Sequence, residues 1–139
     1  GIAASFMLGA RGVQVGTRFL CATECQVHPN YKKKILAARD IDTVVTGKRL
    51  GHPVRCLKNP FARSFGQMEY DSTITNEEIE AFGAGSLRKA AVEGDMENGS
   101  IMAGQIAALV KEEQPAARII REMFAQAEQL LAEAAKWVR

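Results

Sequence analysis

The sequence predicts an α/β fold, and three observations carry that expectation. A helical pattern over residues 1–9 closes on Gly9 and leads into an alternating run, Val13-Gln14-Val15-Gly16, within residues 12–17. Helix, tight turn and strand in that order make the αβ half of a repeating α/β unit. Next, the β-branched run Thr43-Val44-Val45-Thr46 and the extended run Pro53-Val54-Arg55-Cys56-Leu57 flank a turn bracketed by Gly47 and Gly51. That is a hairpin-like excursion outside the main repeat. Last, Ile119, Ile120, Met123, Phe124, Ala127, Leu130, Leu131 and Ala134 recur at three- and four-residue steps, which gives a long helix one broad apolar stripe.

Taken in chain order, the first eight residues read as a helix already under way, with no capping residue and no initiator Met. The expectation is a piece of something longer. Residues 12–17 follow as a strand whose exit, Gly16-Thr17, lets backbone N–H groups approach a phosphate without a Cβ in the way. Thr23 and Glu24 suit the first turn of a short helix. Pro29 starts a helix over 29–39, with Tyr31, Ile35 and Leu36 on one face. Lys32, Lys33 and Lys34 fan over about 200° of that helix, so a solvated face is expected rather than a phosphate hook. His52 precedes Pro53 and is pushed from helical geometry, as suits a turn residue.

Residues 60–70 form a helix with Phe61, Phe65 and Met68 on one stripe. Residues 71–76 are a loop in which Thr75 or Asn76 caps a short helix through Ile79. Gly83-Ala84-Gly85-Ser86 leads to a short helical or extended segment ending at Val92, and residues 94–99 are turn-rich. Ser100 is read as the N-cap of a helix over 100–112. Pro115 sits at the first position of the closing helix, 115–137.

Bulk composition narrows the function classes. With 139 residues the chain holds one ordinary domain with a real core. Apolar residues make up 47% and charged residues 24%, a globular composition. A formal charge of +2 demands no nucleic-acid partner, and no apolar run approaches the roughly 20 residues of a membrane span. A soluble, cytoplasmic protein is expected, with no nucleic-acid and no membrane partner. Cys21, Cys25 and Cys56 are odd in number and lack paired metal-ligand spacing, so free thiols are expected and no metal ligands are assigned.

Three glycine-centred segments bear on chemistry: Gly16-Thr17, Gly83-Ala84-Gly85, and Met102-Ala103-Gly104-Gln105. The middle one lacks the strand and the downstream acid of a dinucleotide fingerprint. There is no phosphate-loop lysine, no nucleophile elbow and no zinc-helix motif, and His28 and His52 complete no catalytic arrangement. Two readings remain: plain packing, or a cofactor held by small residues. In the second, Thr17 offers its hydroxyl and N–H to a phosphate and Gly16 permits the approach. Gln14, Met102 and Gln105 then offer amide and soft apolar contacts to a flat ring.

The run from Phe6-Met7-Leu8-Gly9-Ala10 to Val13-Gln14-Val15-Gly16-Thr17-Arg18-Phe19 resembles the flavin-dependent enoyl-acyl-carrier-protein reductases of bacterial fatty acid synthesis. So do His28-Pro29-Asn30-Tyr31-Lys32, the run from Gly51-His52-Pro53 to Lys58-Asn59, and the run from Gly94-Asp95 to Gly99-Ser100-Ile101-Met102-Ala103-Gly104-Gln105-Ile106-Ala107. Those enzymes share their fold with nitronate monooxygenases. The resemblance covers nearly the whole chain in one order. It implies the C-terminal part of a TIM (β/α)8 barrel, since a full barrel needs about 250 residues, with a small appended α+β region. Residues 1–22 would end the barrel, 23–99 would be the appended region, and 100–139 would supply the closing helices.

By the same resemblance, FMN contacts fall at Gln14, Gly16, Thr17, Met102, Ala103, Gly104 and Gln105, with NADH or NADPH as hydride donor. The family's proton-donating histidine lies earlier in the barrel and has no counterpart here, so no catalytic residue is assigned. The implied partners are the N-terminal part of the same enzyme, an acyl-carrier-protein thioester and a second copy in a homodimer. Two alternatives stay open. One is nitronate oxidation on the same fold. The other is a non-catalytic interaction module using the basic residues Lys32, Lys33, Lys34, Arg39, Lys48, Arg49 and Arg55 to dock an acidic partner.

Overall fold

A computed structural model describes residues 1–134 and 136 of the chain. Helices dominate: α1 (Ile2–Met7), α2 (Thr17–Leu20), α3 (Pro29–Leu36), α4 (Pro60–Tyr70), α5 (Asn76–Gly83), α6 (Ser86–Ala91) and α7 (Ala116–Ala134). Strands β1 (Thr43–Thr46) and β2 (Val54–Leu57) form the predicted hairpin, antiparallel, with Thr43 opposite Leu57 and Thr46 opposite Val54. Its turn depends on Gly47 at φ +78°, where the His52 amide donates to the Gly47 carbonyl at 3.0 Å.

Local chemistry sets most helix starts. His28 caps α3, its Nδ1 accepting the Asn30 N–H at 3.1 Å, with Pro29 at the first position. Asn59 caps α4 by accepting the Ala62 N–H at 2.8 Å, again ahead of a proline. Thr75 and Glu78 make a reciprocal capping box on α5, which runs to Gly83, past the expected end at Ile79. The expected helical turn at Thr23 is absent. Glu24 instead reaches across the chain and accepts the Ala116 N–H at 2.9 Å, so it caps α7. The last part of the closing helix, Trp137 included, lies outside the described residues.

Residues 100–104 overturn the expected helix over 100–112. The Leu57 N–H donates to the Ile101 carbonyl at 2.8 Å and the Ala103 N–H to the Arg55 carbonyl at 3.1 Å, with Met102 bridged to Cys56. The segment lies extended along β2, and only Gln105–Leu109 turns, as a 3₁₀ helix. Ser100 caps nothing. It is buried, and its amide donates to the Ser86 carbonyl at 3.0 Å. Ile101 and Ala103 are buried on either side of half-buried Met102, the two-residue period of an extended chain. Cross-chain bonds to β2 outweighed the helical signal of the local sequence.

The larger core joins Cys21, Tyr31, Ile35, Ala38, Leu57, Ala90, Ile101, Ala103, Ala107 and Val110. It draws on α3, β2, α6, the extended segment after Ser100 and the 3₁₀ turn, with Leu20 of α2 packed against it. A second cluster, Phe61, Phe65 and Ile79, ties α4 to α5, and Phe82 stacks on Phe61 with ring centroids 5.2 Å apart. Cys21, Cys25 and Cys56 are free thiols, as expected.

The strand expected at 12–17 does not form. Residues 12–16 have no ladder partner, and helix α2 begins at Thr17. The burial pattern nevertheless alternates, with Val13 and Val15 half-buried and Gln14 and Gly16 exposed. The residues carry a strand's pattern, but a strand exists only where neighbouring backbone completes its hydrogen bonds. The α7 stripe is likewise only partly covered. Ile119 and Ala127 are buried, while Ile120, Phe124 and Leu130 are exposed. Among the described residues no helix is long and apolar enough to cross a membrane.

Candidate functional site

The site begins where the extended segment 12–16 turns into α2. Gly16 occupies the N-cap position, and no side chain caps this helix. Among the described residues the Gly16, Thr17 and Arg18 amides donate to no carbonyl, as expected ahead of the first helical turn. A Cβ added at Gly16 would meet nothing within 4 Å, so the approach to these amides is open. Bare donors beside an open glycine suit a phosphate or another anion.

The second wall comes from residues 102–104. The Thr17 hydroxyl accepts the Gly104 N–H at 2.9 Å across 87 residues of chain. This bond joins the two glycine-centred segments singled out in the sequence. The Tyr31 hydroxyl, carried by α3, donates to the Met102 carbonyl at 2.7 Å. Burial pushes the Tyr31 phenol well above its ordinary range, so it stays protonated and able to donate. Burial likewise raises the Cys56 thiol beneath Met102.

Between these walls runs an open groove of about 430 Å³. Gly16, Thr17, Met102, Ala103 and Gly104 line it together with Leu20, Tyr31, Arg55 and Leu87. Five of the seven predicted cofactor residues therefore meet in one place. Gln14 and Gln105 do not line the groove and are exposed. Gln14 borders a separate apolar cleft between α1 and α7, with Val13, Val15, Leu109 and Leu130. Tyr31 and Arg55 were missed as site residues. Tyr31 looked like core because it lies on the apolar face of α3, and Arg55 looked like surface charge. Nothing local in the sequence tells that the hairpin and residues 101–103 run side by side.

Of the seven basic residues considered for docking, Lys33, Lys34, Arg39, Lys48 and Arg49 are exposed, Arg55 is half-buried, and Lys32 is withdrawn from the surface. Lys32 is buried rather than solvated, and its Nζ donates to the Ala22 carbonyl at 2.7 Å and to Glu113 Oε1 at 2.5 Å. It locks α3 to the segment before α7. Arg39 pairs with Asp42, and Arg49 donates to the Asp71 and Ile74 carbonyls. Arg18 bonds Gln114 and the Glu112 carbonyl. Of the three consecutive lysines, Lys33 and Lys34 are the exposed pair.

Comparison with known proteins places this geometry. The structure superposes on FabK from Thermotoga maritima with a TM-score of 0.91 and 44% sequence identity, covering 99% of this chain and 43% of that one. A nitroalkane oxidase from Streptomyces ansochromogenes matches with a TM-score of 0.72 and 28% identity, over 99% of this chain and 38% of that one. A probable nitronate monooxygenase from Staphylococcus saprophyticus is 38% identical over 112 residues, which is 80% of this chain and 31% of the relative. One from Bacillus subtilis is 32% identical, over 76% of this chain and 30% of the relative. The chain thus spans about a third of the length of these curated relatives. The nitronate monooxygenase family model matches residues 1–126, and the chain belongs to that family.

Proposed function

We propose that this chain forms part of an FMN-dependent enoyl-acyl-carrier-protein reductase that draws on NADH or NADPH. Its groove residues would hold the flavin, and the remainder of a TIM barrel would come from the N-terminal part of the same enzyme. In this reading residues 1–22 and 100–139 belong to the barrel, and 23–99 form an appended region. The flavin would supply hydride transfer from the nicotinamide to the enoyl double bond. The chain's own residues bind and orient. The free amides at Gly16, Thr17 and Arg18 would hold the phosphate, Thr17 and Tyr31 fix the backbone of residues 102–104, and Met102 and Ala103 present a soft apolar wall. Gln14 and Gln105 would flank the contact set as amide donors. No residue of this chain is given a proton-transfer role, because neither His28 nor His52 lines the groove.

The Thr17–Gly104 hydrogen bond carries the proposal, because it makes one site of two segments 87 residues apart. The 44% identity to FabK over 99% of the chain favours the reductase. Nitronate oxidation is the second reading, favoured by the relatives described as probable nitronate monooxygenases. The interaction-module reading loses Lys32, which is buried against Ala22 and Glu113. Turnover by the full-length protein separates the two enzymes. The reductase oxidises NADH or NADPH in the presence of a crotonyl thioester, whereas a nitronate oxidase consumes oxygen with an alkyl nitronate and ignores the thioester.

A further inference from the structure

Arg55 is the one charged residue that lines the groove. Strand β2 places it there, because its carbonyl accepts the Ala103 N–H at 3.1 Å and so fixes it beside the cofactor wall. The guanidinium is half-buried. It donates once, from one terminal nitrogen to Thr43 Oγ1 at 3.0 Å. Among the described residues it makes no other side-chain hydrogen bond and has no carboxylate within ion-pair distance. Arg18, Arg39, Arg49 and Arg118, by contrast, are each engaged at two or more acceptors or by a carboxylate.

A half-buried cation with no countercharge is unfavourable on its own, and its free donors fit an anion. The planar fork of arginine matches phosphate oxygens in pairs. In the function proposed above, the amides at Gly16 to Arg18 would take a different anion, the cofactor phosphate. The same groove is also lined by Leu20, Tyr31, Leu87 and Met102.

We infer that Arg55 anchors the phosphate ester of a substrate entering over the bound cofactor, as a second anion position distinct from the α2 amides. This rests on the function proposed above. Two sources share that chemistry, the nicotinamide dinucleotide and the phosphopantetheine arm of the acyl carrier.

The test uses the full-length, flavin-loaded protein with Arg55→Gln and Arg55→Lys. KM is measured for NADH, for NADPH, for a crotonyl thioester on acyl carrier protein and for crotonyl-N-acetylcysteamine, which has no phosphate. Arg55→Gln should raise KM about tenfold either for the nicotinamide dinucleotides or for the carrier-bound thioester, the usual worth of a charge-assisted hydrogen bond. It should leave the phosphate-free thioester and the flavin content unchanged, and Arg55→Lys should recover part of the loss. The substrate affected identifies the source. A KM unchanged for every substrate, an equal rise for the phosphate-free thioester, or loss of flavin from the variant overturns the inference. If the parent protein reduces no enoyl thioester, the proposed function fails separately. Calorimetric binding of 2′,5′-ADP and 4′-phosphopantetheine then still decides. Weaker binding of one ligand to Arg55→Gln supports the anchor, and equal or absent binding in both proteins contradicts it.

Discussion

Around α3, Ile35 and Ile101 are fully excluded from solvent, whereas Leu8 beside α1 is 90% exposed and Leu130 on α7 is 57% exposed. The first region satisfies itself. Its core joins α2, α3, α6, β2 and the 3₁₀ turn, and the Lys32–Glu113 pair closes it from outside. The second region keeps the apolar periodicity of a core without a core to fill. Phe6 and Phe124 meet at a ring distance of 6.2 Å, but Leu109 and Ile120 face outward. The contrast teaches where the stability of this chain resides, and which surface would meet the rest of the proposed barrel.

The largest expected effect falls in the self-sufficient region. A Cβ at Gly99 would lie 2.5 Å from the Ala90 amide nitrogen and 2.6 Å from the Asp95 carbonyl oxygen. Both are backbone atoms and cannot swing aside. Gly99→Ala should therefore destabilise by about 3 kcal/mol, read as a lowered urea midpoint. Lys32→Met comes next. It removes one of the two donors to the Ala22 carbonyl, which keeps the Cys25 N–H at 3.1 Å, and Glu113 is 40% exposed and rehydrates, so the cost should be about 1 kcal/mol by the same measurement. A loss no larger than that of Lys33→Met would show that the burial of Lys32 contributes nothing.

A pH effect should be smaller. The Asp95 carboxylate accepts the Asn98 and Glu97 amides at 2.9 Å each, which holds it below the usual carboxylate range. A lowered folded-state value means the stabilisation is present at neutral pH. It is lost as pH falls from the ordinary carboxylate range through the lower folded value. Asp95→Asn should flatten that acid limb of the stability profile and leave the alkaline limb alone. The smallest effect belongs to the exposed face. Leu130→Gln should change the stability of this chain by less than about 0.5 kcal/mol. In the full-length protein it should cost several times more, and equal costs in both would mean that nothing covers α7.

The same contrast explains what the sequence disclosed. The hairpin was legible because all four residues from Thr43 to Thr46 are β-branched and Gly47 must turn. Helices α4 and α5 were legible because Phe61, Phe65 and Met68 form one stripe after Pro60 and because Thr75 or Asn76 offers a cap. These signals act within a few residues. The misread segments depend on distant partners. Residues 12–16 carry strand alternation without a ladder, and residues 100–104 surrender a helix to the backbone of β2. Lys32 looked solvated because Glu113 lies 81 residues away. At the site, Gly16-Thr17 and Met102 to Gly104 were found from small residues where a backbone must be approached closely. Tyr31 and Arg55 were not, since core and surface roles gave them the same local appearance.

The central claim is that the open approach over Gly16, facing Gly104 through Thr17, receives the flavin. Gly16 has φ −98° and free space around its Cβ position, so Gly16→Val fills that approach without a clash inside the chain. The visible absorbance of the purified full-length protein, divided by its protein concentration, measures the outcome directly. The account predicts that the yellow chromophore is lost in Gly16→Val while the melting temperature measured without flavin stays within a few degrees of the parent's. Full flavin content in the variant would contradict it.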